Sequence, residues 1–152
     1  MPAYLVRHAH AGSPKDWEGD DLDRPLSSKG RAQAEQLTEL LRERPIGRIV
    51  SSPARRCIET VEPLAVVTGS KVEQSTALLE GADPDEAVKL LLKLATSDGV
   101  LVSHGDLIPK ILRRLIAEGM RTDDPAISQK GSVWVIEVDS GRPVRGRYHP
   151  PG

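Results

Sequence analysis

The sequence predicts an α/β fold, a three-layer α/β/α sandwich around a mainly parallel central sheet. Short apolar runs rich in strand-favouring residues alternate along the chain with longer segments whose apolar residues recur every three or four positions. This alternation is typical of strand–helix–strand units, whose strands pair in parallel. At 152 residues the chain is long enough for one hydrophobic core, so we expect a single domain over residues 1–152.

Short apolar runs bounded by polar or turn-forming residues predict the strands. The strands that run between helices are predicted at residues 1–6, 48–51, 71–74 and 100–103. A last strand, at residues 132–138, is expected to pair with residues 144–148. The polar segment between residues 11 and 25 predicts a loop, and the end of the chain predicts a loose tail.

Capping and breaking residues delimit the first two helices. Helix one is predicted to start at residues 27–28 and to end before Pro45, because proline disfavours a helical residue in front of it. Helix two is predicted to have Ser52 as its N-cap and Pro53 at its first position. It is expected to end at Gly69.

The next two helices carry similar signals. Asp83 followed by Pro84, with Glu86 three residues after the aspartate, predicts the start of helix three. Helix four is predicted from apolar residues at helical spacing between residues 108 and 116. Pro109 falls in its first turn, where a missing N–H is tolerated, and Asp106 is well placed as its N-cap.

Composition excludes several classes of function. The net charge is −1 and aromatic residues make up 3% of the chain, so we expect neither nucleic acid nor membrane as a partner. No apolar run approaches the roughly 18 residues of a spanning helix, and no signal-peptide pattern opens the sequence. The single cysteine, Cys57, excludes an internal disulfide and favours a cytoplasmic location. We expect a monomer.

Basic and imidazole side chains follow three of the predicted strands. Arg7 and His8 follow the first strand, Arg55 and Arg56 follow the second through Ser-Ser-Pro-Ala, and His104 follows the fourth. Ligands of open α/β sheets bind at the carboxyl ends of the strands. Guanidinium groups match phosphate oxygens, and histidine acts as a nucleophile or a proton carrier. The sequence therefore predicts that two histidines and at least two arginines converge on one phosphate group.

These motifs resemble those of a known family. The order L-V-R-H, S-S-P-x-R-R-x-x-x-T and V-x-H-G is similar to that of the histidine phosphatase superfamily, which also holds the phosphoglycerate mutases. The short length and the stretch DRPLSSKGR at residues 23–31 resemble the SixA-type phosphohistidine phosphatases. The resemblance spans about residues 3–138. It implies a phosphoglycerate mutase-like fold and a phosphatase that needs no metal ion or other cofactor.

The resemblance implies a role for each motif residue. His8 corresponds to the nucleophile, which forms a phosphohistidine that water hydrolyses. Arg7 and Arg56 correspond to the clamp on the phosphate oxygens; position within the motif selects Arg56, and Arg55 is expected to be a surface charge. His104 is expected to donate a hydrogen bond to the same phosphoryl group. The chain departs from the family's R-H-G at Ala9, a small change that we expect to be tolerated.

The general acid stays open between two carboxylates. Glu80 lies near the position where the mutase branch carries its acidic residue, and Asp106 follows His104 after one glycine. Either is also compatible with a solvated carboxylate or a helix cap. An imidazole or anhydride leaving group needs less help from an acid than an alkoxide. This favours phosphohistidine or nucleotide-type phosphates over sugar phosphates.

Other motifs have simpler interpretations. The histidines at positions 8 and 10 form an H-x-H pair typical of metal hydrolases, but their (β/α)₈ barrel needs about 250 residues; His10 is expected to line the entrance. Cys57 lacks the phosphate loop of a cysteine phosphatase, so we expect it to be buried. Lys29-Gly30 lacks the earlier glycine of a P-loop. Trp17 is compatible with a substrate contact or a loop anchor.

Four functions follow as hypotheses. The leading one is a phosphatase that acts on phosphohistidine carried by a partner protein, because a short chain leaves the pocket open. A phosphatase of small nucleotides or other phosphometabolites comes second. A phosphate-recognition module without activity would not need His8, and a mutase is disfavoured by the length of the chain.

Overall fold

The computed structural model describes residues 1–152 and contains one six-stranded sheet and four helices. The strands are β1 (Pro2–Arg7), β2 (Ile49–Ser51), β3 (Val72–Gln74), β4 (Val100–Ser103), β5 (Val133–Asp139) and β6 (Arg142–His149). The helices are α1 (Ser28–Leu41), α2 (Arg55–Thr68), α3 (Pro84–Ala95) and α4 (Ile108–Ala117). Short 3₁₀ turns lie at Pro14–Asp16, Asp21–Asp23 and Thr76–Leu78. None of the helices has the length and apolarity needed to cross a membrane.

The sheet is mainly parallel, as predicted. The strand order is β3-β2-β4-β1-β5-β6. The four strands β3, β2, β4 and β1 run parallel, β5 pairs antiparallel with β1, and β6 pairs antiparallel with β5. In the register of the central strands, Arg7 lies opposite Ser103, and Ser51 lies opposite Val102. The carboxyl ends of β1, β2 and β4 therefore meet at one edge of the sheet, where each strand passes its next residues to the site.

Two apolar clusters, one on each face of the sheet, give the three layers. Alternate strand residues point to opposite faces, so neighbouring residues of β1 and β4 belong to different clusters. Helices α1 and α2 pack on one face, through residues that include Leu37, Leu41, Cys57, Val61 and Leu64. Helices α3 and α4 pack on the other, through residues that include Leu91, Leu94, Ile108, Ile111 and Leu115. The predicted α/β/α sandwich is confirmed.

Several predicted helix ends are confirmed. Ser27 is the N-cap of α1 and its hydroxyl accepts a hydrogen bond from the Gly30 N–H at 3.1 Å. Gly69, with a φ of 71°, closes α2 in the left-handed conformation that glycine adopts without strain. Asp83 caps α3 by accepting from the Asp85 N–H at 2.9 Å.

Two predicted N-caps are wrong. Helix α2 begins at Arg55, with extended Ala54 in the cap position instead of Ser52. Pro53 therefore also lies outside the helix instead of at its first position, and the Ser52 hydroxyl lies 2.8 Å from His104 Nε2. Helix α4 begins at Ile108, and Asp106 does not cap it. The chain already turns helically before α4, since Leu107 has helical φ and ψ and its N–H donates to the carbonyl oxygen of His104.

Gly30 fixes how closely α1 approaches the segment after β1. A Cβ atom at this position would overlap the backbone carbonyl of His10, which accepts hydrogen bonds from the N–H and the hydroxyl of Ser27. The Lys29-Gly30 pair thus has a packing role, because only glycine lets the first turn of α1 lie against the segment that follows His8.

We expect Gly30→Ala to lower the free energy of unfolding by about 1–3 kcal/mol, since the new methyl group meets backbone atoms that cannot rotate away. Urea denaturation measures the change. Glu35→Ala, at an exposed position of the same helix, is the matched control and is expected to shift stability by no more than about 0.5 kcal/mol. Equal effects of the two substitutions would contradict the close approach at Gly30.

Candidate active site

The ends of β1 and β4 bring His8 and His104 together. The two strands are neighbours, and the ring centroids lie 5.5 Å apart with the ring planes at 62°. Both rings are buried: His8 is 6% exposed and His104 is 1% exposed. The two imidazoles that the sequence placed at separate strand ends therefore share one site.

Hydrogen bonds fix the orientation of His8. Its Nδ1 atom lies 2.8 Å from the carbonyl oxygen of Ala9, which can only accept a hydrogen bond, so the ring proton lies on Nδ1. The lone pair is then on Nε2. Burial lowers the pKa of His8 to about 3, and the cations of Arg56 and Arg7 act in the same direction. At neutral pH the ring is uncharged and nucleophilic.

Thr60 connects the His8 segment to α2. Its hydroxyl accepts a hydrogen bond from the Ala9 N–H at 2.9 Å and donates one to the Arg56 carbonyl at 2.7 Å. Thr60 and Ala9 are fully buried. The threonine of the R-R-x-x-x-T motif therefore holds the backbone after the histidine and the backbone of the arginine at a fixed distance.

Arg56 is almost fully buried beside acidic groups. Its Nη1 atom donates to the carbonyl oxygen of Asp21 at 2.9 Å and lies 3.2 Å from the carboxylate of the same residue. Its Nη2 atom donates to Glu80 Oε1 at 2.6 Å and lies 3.4 Å from His104 Nδ1. Arg55, by contrast, is exposed and pairs with Glu59 one helical turn away, as expected of a surface charge.

Arg7 lies against Gly105. A Cβ atom at Gly105 would come within 2.6 Å of the guanidinium carbon of Arg7, so the glycine of the V-x-H-G motif makes room for this arginine. Arg7 Nη1 donates to the carbonyl oxygen of Ser128 at 2.6 Å. The buried Nε–H groups of Arg7 and Arg56 have no partner in the protein. An anion that accepts from such groups removes the cost of leaving them unpaired.

Ser52 positions His104. Its hydroxyl lies 2.8 Å from His104 Nε2, which leaves Nδ1 facing Glu80 Oε1 at 3.3 Å. Burial and the charge of Arg56 lower the pKa of His104 to about 4, although Glu80 and Asp106 act in the opposite direction. The serine that was predicted to cap α2 thus contacts the second histidine instead.

The two candidate acids have different positions. Glu80 contacts both Arg56 and His104, so it lies within the site. The carboxylate of Asp106 accepts a hydrogen bond from the Gly81 N–H at 2.8 Å. Asp106 therefore tethers the loop that carries Glu80.

The remaining candidates of the sequence analysis have clear contacts. Cys57 is buried, as predicted, and burial raises the pKa of its thiol to about 12. Trp17 anchors its own loop, since its indole N–H donates to the Asp20 carbonyl at 2.8 Å. His10 Nδ1 lies 2.6 Å from the hydroxyl of Ser27. No group of three His, Cys, Asp or Glu side chains is placed to hold a metal ion.

Sequence reasoning missed two charged residues near the site. Arg24 is 7% exposed; its guanidinium donates to the Ala11 carbonyl at 2.8 Å and to the Asp21 carboxylate at 3.1 Å. The D-R-P-L-S stretch contained Arg24, but arginine next to proline carries no signal of burial. Asp21 lies in an acidic loop of four aspartates between residues 16 and 23, and nothing in the sequence distinguishes it from the others.

An α/β fold with two buried histidines and two arginines at one sheet edge defines a protein that handles phosphoryl groups. The sequence model of the histidine phosphatase superfamily (branch 1) matches residues 3–82, a range that includes His8, Arg56 and Glu80. The chain belongs to this superfamily.

A curated relative comes from Mycolicibacterium smegmatis. This 8-oxo-(d)GTP phosphatase is 32% identical to the chain over an alignment of 152 residues. The alignment covers 97% of the present chain and 47% of the relative. The chain thus spans about half the length of the relative that it matches.

Solved structures share the fold. The structure of the protein histidine phosphatase SixA complexed with tungstate aligns with a TM-score of 0.77 at 23% identity, covering 98% of this chain and 94% of the other. A mycobacterial glucosyl-3-phosphoglycerate phosphatase in complex with VO3 aligns with a TM-score of 0.74 at 19% identity, covering 99% of each chain. The phosphoglycerate mutase-like fold implied by the sequence motifs is confirmed.

We expect Ser52→Ala to lower the free energy of unfolding by about 1–3 kcal/mol, because it removes the hydroxyl partner of buried His104 Nε2 and leaves only the weaker contact with Cys57 Sγ at 3.6 Å. It is also expected to shift the ring ¹⁵N resonances of His104. Ser51→Ala is the matched control, since Ser51 is equally buried and its hydroxyl donates to the Ser52 carbonyl instead. Ring resonances that respond equally to both substitutions would show that the Ser52 hydroxyl makes no specific hydrogen bond with His104.

The buried histidines also predict how stability depends on pH. The pKa of His8 and that of His104 fall to about 3 and about 4 in the folded chain, from an ordinary value of 6.5. Below pH 6.5 the unfolded chain takes up protons that the folded chain does not, so the free energy of unfolding falls as pH falls through this window.

In His8→Gln the free energy of unfolding is expected to depend less steeply on pH below 6.5. The slope is expected to decrease by up to the contribution of one proton, about 1.4 kcal/mol per pH unit. Urea titrations of both proteins between pH 7.5 and 5 measure the slopes. Parallel curves would show that His8 titrates at its ordinary pKa in the folded chain.

Proposed function

We propose that this chain is a metal-independent phosphatase in which His8 carries the phosphoryl group as a phosphohistidine. The observation that carries the proposal is the state of His8, a neutral buried ring with Nδ1 tied to the Ala9 carbonyl and the lone pair on Nε2. A positioned nucleophile beside guanidinium groups meets the requirements of phosphoryl transfer. A module that only recognises phosphate has no use for this arrangement.

The reaction proceeds in two steps. Nε2 of His8 attacks phosphorus as the bond from phosphorus to the leaving oxygen or nitrogen breaks. Arg7 and Arg56 donate hydrogen bonds to the non-bridging oxygens, where charge accumulates in the transition state, and His104 donates another. Water then attacks the phosphohistidine, releasing inorganic phosphate and restoring the neutral ring. The unpartnered Nε–H groups of both arginines support this assignment.

Glu80 is the better candidate for the general acid. It contacts Arg56 and His104, whereas the Asp106 carboxylate is used to hold the Gly81 N–H. A phosphoryl group that accepts from Arg56 Nη2 competes for the N–H that Glu80 now uses. The displaced carboxylate then takes up a proton from the solvent and delivers this proton to the leaving group. Asp106 acts as a positioning residue for the Glu80 loop.

Two substrate classes have support. Phosphohistidine on a partner protein is supported by the short chain and by the fold shared with SixA. A small phosphorylated nucleotide is supported by the 32% identity to the 8-oxo-(d)GTP phosphatase, which extends over 97% of this chain. Both leaving groups depart more readily than an alkoxide, in keeping with an acid that is exposed and bound to arginine.

We expect His8→Ala to abolish hydrolysis of p-nitrophenyl phosphate in excess chelator, together with acid-labile ³²P label on the protein. The variant removes the nucleophile but leaves Arg7, Arg56 and His104, so inorganic phosphate is still expected to bind. His149→Ala, on β6 and outside the site, is the control and is expected to retain both label and turnover.

Rapid-quench labelling and steady-state rates provide the measurements. Full activity of His8→Ala in chelator would exclude the phosphohistidine route. Absence of both label and turnover in the wild type, on this substrate and on a phosphohistidine peptide, would identify a phosphate-recognition module.

A further inference from the structure

Different charges act on different groups of the site. Three carboxylates, those of Asp21, Glu80 and Asp106, act on His104. The charges that act on Lys130, by contrast, are all cations: Arg7, Arg24 and Lys29. Burial is the largest cause of the lowered pKa of Lys130, and these cations lower it further. We refer to Lys29 and Lys130 together as the basic rim.

The basic rim has no counterion in the protein. Neither lysine takes part in any of the ten salt bridges or donates a side-chain hydrogen bond. The charges that act on neighbouring His10 are likewise only cations, namely Lys130, Lys29 and Arg24. Like charges held together without a partner repel one another, and a bound anion reverses this cost.

Backbone contacts bring the residues that carry both lysines near the segment from Arg7 to His10. Lys130 belongs to the segment in which the Ser128 carbonyl accepts from Arg7 and the Gly131 N–H donates to the His8 carbonyl at 3.1 Å. Lys29 lies in the first turn of α1, next to the cap whose hydroxyl contacts His10.

The Gln33 side chain contacts both segments. Gln33 accepts a hydrogen bond from the His10 N–H at 2.8 Å. A Cβ atom at Gly131 would lie 3.1 Å from the Gln33 side chain, so this side chain packs closely against Gly131. The first turns of α1, which carry Lys29, and the 128–131 segment, which carries Lys130, are therefore neighbours beside the segment that contains His8 and His10.

We propose that the substrate carries a second phosphate next to the one transferred, as in a nucleoside diphosphate, and that the basic rim binds this second phosphate. This inference rests on the proposed function and names the substrate class of the same site. His8 Nε2 attacks the β-phosphorus, and the bond to the bridging oxygen breaks with its electron pair leaving on the nucleoside monophosphate. Water then cleaves the P–N bond, so that one water is consumed and one inorganic phosphate is released.

The charge of the rim distinguishes between the two substrate classes. A departing phosphate gains negative charge, which lysines stabilise without any proton transfer. A departing protein histidine must instead take up a proton, and neighbouring cations oppose the protonation of an imidazole. The basic rim therefore favours a phosphoanhydride over a phosphohistidine. A nucleotide is also what the name of the M. smegmatis relative specifies.

We expect the double variant Lys29→Ala/Lys130→Ala to lower the ratio of kcat/KM for GDP to kcat/KM for p-nitrophenyl phosphate about 100-fold, or about tenfold for each lysine. Assays in chelator keep the diphosphate free of metal. Lys29→Arg/Lys130→Arg is expected to retain most of the ratio, because it preserves the charges. Lys93→Ala, at the opposite edge of the sheet in the last turn of α3, is the control and leaves the ratio unchanged.

The outcomes separate this inference from the proposed function. A wild type that hydrolyses p-nitrophenyl phosphate through labelled His8, but whose ratio is unchanged in the double alanine variant, overturns the inference alone. A higher wild-type kcat/KM for a phosphohistidine peptide than for GDP overturns it as well. A wild type with neither label nor turnover on any of these substrates is a failure of the proposed function.

Discussion

The hydroxyl of Thr60 joins the two halves of the site. By accepting from the Ala9 N–H and donating to the Arg56 carbonyl, it ties the end of β1 to the first turns of α2. Phosphoryl transfer tolerates little error in position, because it relies on alignment and on preorganised charge. A buried threonine with both hydrogen-bonding functions used is a rigid spacer between the proposed nucleophile, His8, and the proposed clamp residue, Arg56. This contact explains why the motif places threonine one helical turn after the arginine.

The same burial that positions the histidines also sets their charge. A cationic His8 would repel the adjacent arginines and would have no lone pair to attack phosphorus. Burial at the sheet edge and the neighbouring guanidinium groups both oppose protonation, so the ring stays neutral while the arginines keep their charge. The site thus combines a neutral imidazole with cationic guanidinium groups, and under the proposed mechanism the phosphoryl group supplies the anion that the unpaired Nε–H groups lack.

The sequence was sufficient to predict the features that depend on where strands end and on the spacing of apolar residues. His8, Arg56 and His104 follow buried strands, so topology predicted that basic and imidazole groups converge, whereas the choice of Arg56 over Arg55 came from the family resemblance. The spacing of apolar residues showed the buried faces of the helices. The contacts of Ser52 and Asp106 were missed because a capping residue looks the same whether it binds its own helix or a distant group. Ser52 contacts His104 from 52 positions away, and Asp106 holds Gly81 from 25 positions away. Local rules carry no information about such long-range partners.

The site divides between rigid and variable parts of the fold. His8 and His104 follow central strands of the sheet, where two layers of helices restrict movement. Glu80 and Lys130 lie on connecting loops, which are held by individual hydrogen bonds such as the one that the Gly81 N–H donates to the Asp106 carboxylate. Loops change charge more readily than central strands do, because fewer contacts depend on them. Members of one superfamily can therefore share histidine chemistry and still differ in substrate, and under our proposal the charges on the loops of this chain select the phosphate that it accepts.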